Sequence, residues 1–324
     1  MFTHLLSTIW FLVICFAGGL AILVKGADWL VDGATDLAKR LGVSDLMIGL
    51  TVVAFGTSMP EFIVNMTSVS TNATDLAITN VLGSNIINTL VILGCSVLVF
   101  PIVAKKETVR IELPLSIIAG IMTLLFVWAS WGSETAKGIS RLEGSLLLLV
   151  FVGFLFKSIK SAKNAVTEKV KHKMPLWKCV MLVLVGLASL VLGGELVVRS
   201  ATKIAQQMGI SESVIGLTVV ALGTSLPELA TSVMAAFKHN SDIALGNVVG
   251  SNIFNVFFIL GTSALIRPLP AYQGVELDTI LVALSGAIVW LLLICNKKRT
   301  INRWRGALLL IVYVVYLSFR LGAF

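Results

Sequence analysis

The sequence predicts an all-α integral membrane protein of about ten spanning helices, arranged as two inverted five-helix repeats with helices two and seven broken. Three observations carry this. Only 13% of the 324 residues are charged, and the mean hydropathy is +0.96, too apolar for a chain with a water-facing surface. Apolar runs of spanning length recur along the whole chain. The second half also repeats the first.

The runs cover residues 5–24, 47–69, 76–103, 113–131 and 142–156, then 176–198, 214–237, 243–266, 279–294 and 307–317. They are continuous and rich in Leu, Val and Ile, where a β-barrel would show ~10-residue stretches of alternating polarity. The first run has no basic leader or small-residue cleavage site, so it is read as a helix and not a signal peptide. Cys15, Cys95, Cys179 and Cys295 stand singly in or beside these runs and read as packing residues.

Charge placement sets the expected topology. With alternate loops on one side, Lys39, Arg40, Lys105, Lys106, Arg110, the cluster from Lys157 to Lys178, Lys238 and the group from Lys297 to Arg305 fall together, 18 of the 25 basic residues. By the positive-inside rule that side is cytoplasmic and both termini face out across a cell membrane. The net charge of +8 is therefore a membrane signal and does not point to nucleic acid.

A shift of 167 residues superposes 26–101 on 193–268 without a gap, with about 34 of these 76 positions identical. The domain reading follows: 1–156 is the first repeat, 157–175 a basic cytoplasmic linker able to touch anionic lipid heads, and 176–324 the second repeat. An odd number of spans per repeat makes the copies enter the membrane from opposite faces, an architecture of secondary transporters.

The best-matched stretches are polar. IGLTVVAFGTSMPE at 48–61 matches IGLTVVALGTSLPE at 215–228, and NVLGSNIIN at 80–88 matches NVVGSNIFN at 247–255, so the paired motifs run over 48–88 and 215–255. Apolar packing tolerates exchange among Leu, Ile and Val, whereas Thr, Ser, Glu and Asn in hydrocarbon are unfavourable without partners. Keeping them twice argues for use.

Pro60 and Pro227 lack an N–H and crowd the carbonyl four residues back, which predicts helix breaks at Gly56 and Gly223. The carbonyls of Ala54 to Thr57 and Ala221 to Thr224 are then expected to be freed, which is tolerable only where they line a cavity or an ion. Thr57, Ser58, Glu61, Thr224, Ser225 and Glu228 project into the same place. Every group on offer is an oxygen, the ligand preferred by hard cations such as Ca²⁺ and Na⁺, and softer transition metals are less well served. Two glutamates neutralise one divalent ion. Asn80, Ser84 and Asn88 recur every four residues, as do Asn247, Ser251 and Asn255, so each set lines one helix face. Asn80, Asn85, Asn247 and Asn252 read as interhelical hydrogen-bond glue, and Ser84, Asn88, Ser251 and Asn255 as ion-facing.

With these residues in view, GTSMPE with GSNIIN and GTSLPE with GSNIFN closely resemble the paired repeats of the sodium/calcium exchanger branch of the cation/calcium antiporter superfamily, in its ten-helix prokaryotic type. GAD at 26–28 is similar to the family's first-helix pattern. The resemblance implies exchange of one Ca²⁺ for about three Na⁺ by alternating access, with helices one and six sliding past the rest. It places ion ligands at Thr57, Ser58, Glu61, Ser84, Asn88, Thr224, Ser225, Glu228, Ser251 and Asn255, plus the carbonyls of Ala54 and Ala221. Asn255 departs from the aspartate of some archaeal and potassium-dependent members, which argues against potassium coupling. The GTSxPE motif argues against the proton-coupled branch.

Two other classes of function are disfavoured. A channel gathers identical filters around a pore axis, unlike an inverted pair within one chain. An intramembrane hydrolase would need a base or metal triad, and His4, His172 and His239 all lie outside the motifs. No nucleotide-binding GxxxxGK[ST] is present. The expectation is a transporter of ions with no enzymatic activity and no cofactor. Asp28, Asp32, Glu195 and Arg199 are intramembrane charges without an assigned role, with Glu195 and Arg199 spaced for an ion pair.

Overall fold

A computed structural model describes residues 2–129, 137–164, 174–209 and 221–320. Residues 165–173 of the predicted linker and 215–220 of the second motif lie outside the described residues. Span 1 is the helix Phe2–Leu41, span 2 is Asp45–Thr57 followed by Met59–Ser70, span 3 is Thr74–Val99, span 4 is Thr108–Trp128 and span 5 is Arg141–Lys160. Span 6 is Leu176–Gln207, span 7 ends in Leu226–Phe237, span 8 is Ser241–Ile266, span 9 is Val275–Ile294 and span 10 is Arg303–Arg320.

Among the described residues seven helices are long and apolar enough to cross a membrane, and eight if the two parts of span 2, bent by 44°, count as one. Span 7 is described only in part, and span 10 is the more polar remainder of the ten. The apolar runs underestimate spans 1 and 6. Span 1 continues 17 residues past Val24 to Leu41, and its Asp28 and Asp32 pair with Lys238.

Spans 3 and 8 form the interior, with 78% and 94% of their apolar windows buried. Large apolar side chains such as Trp10, Ile14, Leu125, Leu149, Leu184 and Val314 point outward from the other spans, the inverse of a soluble protein and the pattern expected against lipid. The repeats interlock. Span 1 runs antiparallel along span 6, so close that a Cβ on Gly26 would lie 2.7 Å from Ser189 Cβ and 2.9 Å from the Gly186 carbonyl. Span 5 meets span 8 at Gly144 and Gly261, and span 10 meets span 3 at Gly306 and Gly94, each a close crossing of one repeat on the other.

Two short ladders tie the ends. Ile102–Val103 pairs antiparallel with Thr300–Ile301, and Gly138–Ile139 pairs with Leu269–Pro270. The first lies at the face where Arg40 donates to the Met174 carbonyl at 2.7 Å and Lys105 pairs with Asp242. The second lies at the opposite face, with Arg267 on Asn72 and Arg320 on Asp278. The described basic loops that the sequence places on one side thus meet at one end of the bundle, hereafter the basic face.

The internal duplication extends to backbone detail. Asn72 and His239, equivalent in the repeats, both adopt the left-handed region, at φ 64° and 61°.

Candidate functional site

In both repeats the break falls at the serine of GTSxPE. Ser58 sits at φ −83°, ψ 8°, and Ser225 at φ −87°, ψ 5°, in the sparsely populated bridge region. Pro60 and Pro227 then occupy the first turn of the following helix, where a missing N–H is harmless. This corrects the expected position by two residues. It also corrects the expected freeing of Ala54, whose carbonyl accepts from Ser58 N at 3.0 Å and Thr57 Oγ1 at 3.3 Å, since helical bonding persists for one more turn. Ala221 lies in the equivalent short helix, described over Ala221–Gly223.

Breaking at the serine turns Ser58 and Ser225 towards each other's repeat. Ser58 Oγ donates to Glu228 Oε1 at 2.8 Å, and Ser225 Oγ donates to Glu61 Oε1 at 3.1 Å. Ser84 Oγ approaches Glu61 Oε1 at 3.4 Å and lies 3.4 Å from Ser225 Oγ. These are reciprocal bonds across the pseudo-two-fold, made by residues 164 to 170 positions apart.

The asparagines divide as their spacing suggests. Asn80 donates to Asn65 Oδ1 at 2.7 Å and to the Glu61 carbonyl at 3.3 Å, and Asn247 donates to Ser232 Oγ at 2.9 Å and the Glu228 carbonyl at 3.3 Å. Both therefore splint the helix that carries the glutamate. Asn85 and Asn252 bind across the centre, Asn85 donating to the Asn252 carbonyl at 3.3 Å and Asn252 to Thr89 Oγ1 at 2.8 Å. Asn88 donates to Asn252 Oδ1 at 3.1 Å and Asn255 to Asn85 Oδ1 at 3.0 Å. Each of these last two amides is held by its nitrogen, with its carbonyl oxygen left over.

That leftover is the central observation. Glu61 Oε2, Glu228 Oε2, Asn88 Oδ1, Asn255 Oδ1, Ser251 Oγ and Thr224 Oγ1 are buried and have no hydrogen-bond partner. Such groups are normally satisfied, and leaving them unpaired is unfavourable by ~1–3 kcal/mol each and more for a charge. Six on predicted site residues, divided between the repeats, make an oxygen-rich place whose natural occupant is a cation. Glu61, Glu228, Thr57, Ser58, Ser84, Asn88, Ser225, Ser251 and Asn255 are all 2% exposed or less. Among the described residues no group of three or more His, Cys, Asp and Glu gathers, so the donor set suits hard cations held by mixed oxygens.

Sequence reasoning missed two features. Asn88 and Asn255 lie within π-helical stretches, Ile87–Ile92 and Phe254–Leu260, and Gly49–Val53 before the first motif is another. Wider turns of this kind re-aim side chains and are frequent at functional sites. Asn65, equivalent to Ser232, anchors to the Ala77 carbonyl at 3.1 Å and Ser263 Oγ at 3.2 Å. The i, i+4 spacing of Glu61 and Asn65 on one helix face was the available signal.

The description that matches this chain is the sodium/calcium exchanger protein family, over residues 11–160 and 178–322. The chain belongs to this family. The protein CaxA of Alkalimonas amylolytica is 36% identical over 96% of this chain and 98% of its own length. The inner membrane protein YrbG of Escherichia coli is 36% identical over 93% and 94%, and the sodium/calcium exchanger MaX1 of Methanosarcina acetivorans is 32% identical over 92% and 95%. A structure of the sodium-calcium exchanger NCX_Mj, studied for extracellular ion exchange and induced binding-site occlusion, superposes with a TM-score of 0.83 at 31% identity, covering 96% of this chain and 99% of that one. The fold is thus that of the exchanger family, and the protein is a multi-pass membrane transporter and not an enzyme.

Proposed function

We propose that this protein exchanges Ca²⁺ for Na⁺ across the cell membrane by alternating access, at the site built by Thr57, Ser58, Glu61, Ser84 and Asn88 with Thr224, Ser225, Glu228, Ser251 and Asn255. The observation that carries this reading is the set of six buried, unpartnered oxygens, two of them from the carboxylates of Glu61 and Glu228. The similarity to MaX1 and NCX_Mj, both named as sodium/calcium exchangers, supports it.

The geometry suggests how exchange is enforced. Ser58 and Ser225 fix one oxygen of each glutamate and aim the other at the centre, where Ca²⁺ meets two negative charges and neutral amide and hydroxyl oxygens. Na⁺ competes for the same oxygens. An empty site leaves two carboxylates unscreened inside the bundle, a state disfavoured by several kcal/mol, so the repeats rearrange readily only when loaded. The Ala54 and Ala221 carbonyls join as ligands if the short helices before the breaks loosen during that rearrangement. The basic face is cytoplasmic and both termini lie outside.

Proteoliposomes loaded with Na⁺ and diluted into Na⁺-free medium containing Ca²⁺ test this. Wild type accumulates Ca²⁺, and Glu61→Gln or Glu228→Gln lowers uptake by about 10²-fold or more, since each leaves the ion with half its countercharge. Equal uptake by all three proteins refutes the site. Uptake that follows a proton or K⁺ gradient, and ignores Na⁺, keeps the site and replaces the coupling ion.

A further inference from the structure

The two repeats agree at the site and disagree at the ends of their broken helices. At the C-terminal end of span 7, Lys238 reaches span 1. Its Nζ lies 2.5 Å from Asp28 Oδ1 and 2.7 Å from Asp32 Oδ1, and donates to the Asp28 carbonyl at 3.0 Å. Two residues on, Asn240 donates to Thr35 Oγ1 of span 1 at 3.2 Å and to Asp45 Oδ2 of span 2 at 2.8 Å. Span 1 is thereby gripped over two helical turns by one loop.

The 167-residue shift identifies what stands at the same places in the other repeat. Lys238 corresponds to Thr71, Asn240 to Ala73, Asp28 to Glu195 and Asp32 to Arg199. None of these reaches across. Thr71 Oγ1 donates to the Thr67 and Ser68 carbonyls of its own helix, and Glu195 pairs with Arg199 one turn along span 6 at 2.5 Å, with both side chains more than half exposed. Nearer the middle of the bundle, spans 6 and 2 border an apolar cavity of about 1040 Å³, lined by Gly56, Met59, Leu187 and Val191. Span 1 is therefore fastened to span 7 at the basic face, and among the described residues span 6 has no such fastening to span 2 at the opposite face.

We propose that Lys238 and Asn240 form a one-sided clasp on Asp28, Asp32 and Thr35 that closes the basic face and biases the cation site towards the opposite face. Inverted repeats alone would make the two facing states near-equal in energy. A contact present in one and absent from its mirror image breaks that balance. The clasp rests on the alternating-access reading of the site, and it gives a role to Asp28 and Asp32 that the ion ligands leave open. Lys25 also pairs with Asp28, at 2.5 Å, but from the same helix, so it neither joins spans nor affects the bias.

The bias is read by thiol labelling. Val31 is buried and lines a cavity of about 380 Å³ beneath the clasp, with Asp32, Thr35, Lys238 and Asn240. In a full-length chain with Cys15, Cys95, Cys179 and Cys295 replaced by alanine, Val31→Cys reports opening of the basic face by its reaction rate with a water-soluble maleimide. Lys238→Gln raises that rate roughly three- to tenfold, the range expected for losing a small network of partly exposed ion pairs. Asp28→Asn with Asp32→Asn does the same, combining the two sets adds little further because one interaction is removed in each case, and Lys25→Gln has no effect. Half-saturating Ca²⁺ in oriented vesicles falls at the basic face and rises at the other, since apparent affinity scales with the population of the accessible state.

An unchanged labelling rate in Lys238→Gln overturns the clasp. So do fully additive effects of the lysine and aspartate changes, which signify separate structural roles. If wild type fails to move Ca²⁺ at all, the antiporter reading falls while the labelling still decides the clasp.

Discussion

Gly26→Ala on span 1 tests the central packing of the fold. A Cβ there would lie 2.7 Å from Ser189 Cβ, 2.9 Å from the Gly186 carbonyl and 3.0 Å from Leu190 N, all on span 6, and two of the three are backbone. No side-chain rotation relieves contacts with backbone, so the two helices must separate by several tenths of an ångström along their shared length. Overpacking of this kind is unfavourable by ~1–3 kcal/mol, against a helix-propensity gain for alanine of ~0.5–1 kcal/mol. Gly18 lies on the same helix with nothing within 4 Å of its would-be Cβ, so Gly18→Ala keeps the gain without the clash. In detergent-purified protein, thermal unfolding followed by tryptophan fluorescence should show Gly26→Ala lowered by roughly 2–8 °C and Gly18→Ala unchanged or slightly raised. Equal shifts for the two variants refute the argument that span 1 and span 6 pack backbone to backbone.

Further expectations follow from the polar contacts. Ser58→Ala should weaken apparent Ca²⁺ affinity by about tenfold or more, the value of a hydrogen bond to a charged group. Ser225→Ala should do less, because Glu61 Oε1 retains Ser84; a tracer-uptake titration that reverses this order counts against the geometry. Asp278, 3% exposed, accepts from Tyr272 at 2.5 Å, Tyr316 at 3.0 Å and Arg320 at 3.0 Å, so Asp278→Asn should destabilise the seam of spans 9 and 10 by ~1–3 kcal/mol. An unchanged melting temperature excludes that seam as a stabilising element. Burial, with Asp278 beside it, pushes the Tyr272 hydroxyl well above its ordinary value. The folded state thus holds this proton more tightly than the unfolded chain, so stability is full below pH ~10 and declines above it as the unfolded chain deprotonates. Tyr272→Phe should flatten this alkaline decline in a melting series from pH 8 to 11, and an identical slope in both proteins rejects it.

The sequence was informative where its constraint was local or repeated. Hydrocarbon length fixes the number of residues in a span, so the runs marked nearly every helix, and duplication within a single chain exposed the inverted repeats without any other sequence. The exchanger family was legible for the same reason. GTSxPE and GSN put residues that hydrocarbon disfavours at matching places in both halves.

Other features depended on partners far along the chain, which local pattern cannot supply. The partner of Asp28 and Asp32 is Lys238, more than 200 residues on. The break falls at Ser58 and Ser225, two residues after the glycines, because each serine bonds the glutamate of the other repeat. The six unpartnered oxygens, and the division of asparagines into those that tie helices and those with a carbonyl left over, exist only once spans 2, 3, 7 and 8 are packed together. The sequence alone determined which atoms are available to hold a cation, since residue type and spacing fix the chemistry on each helix face. Only the tertiary structure decided which of them remain free to do so, because hydrogen-bond satisfaction is a property of the assembled bundle.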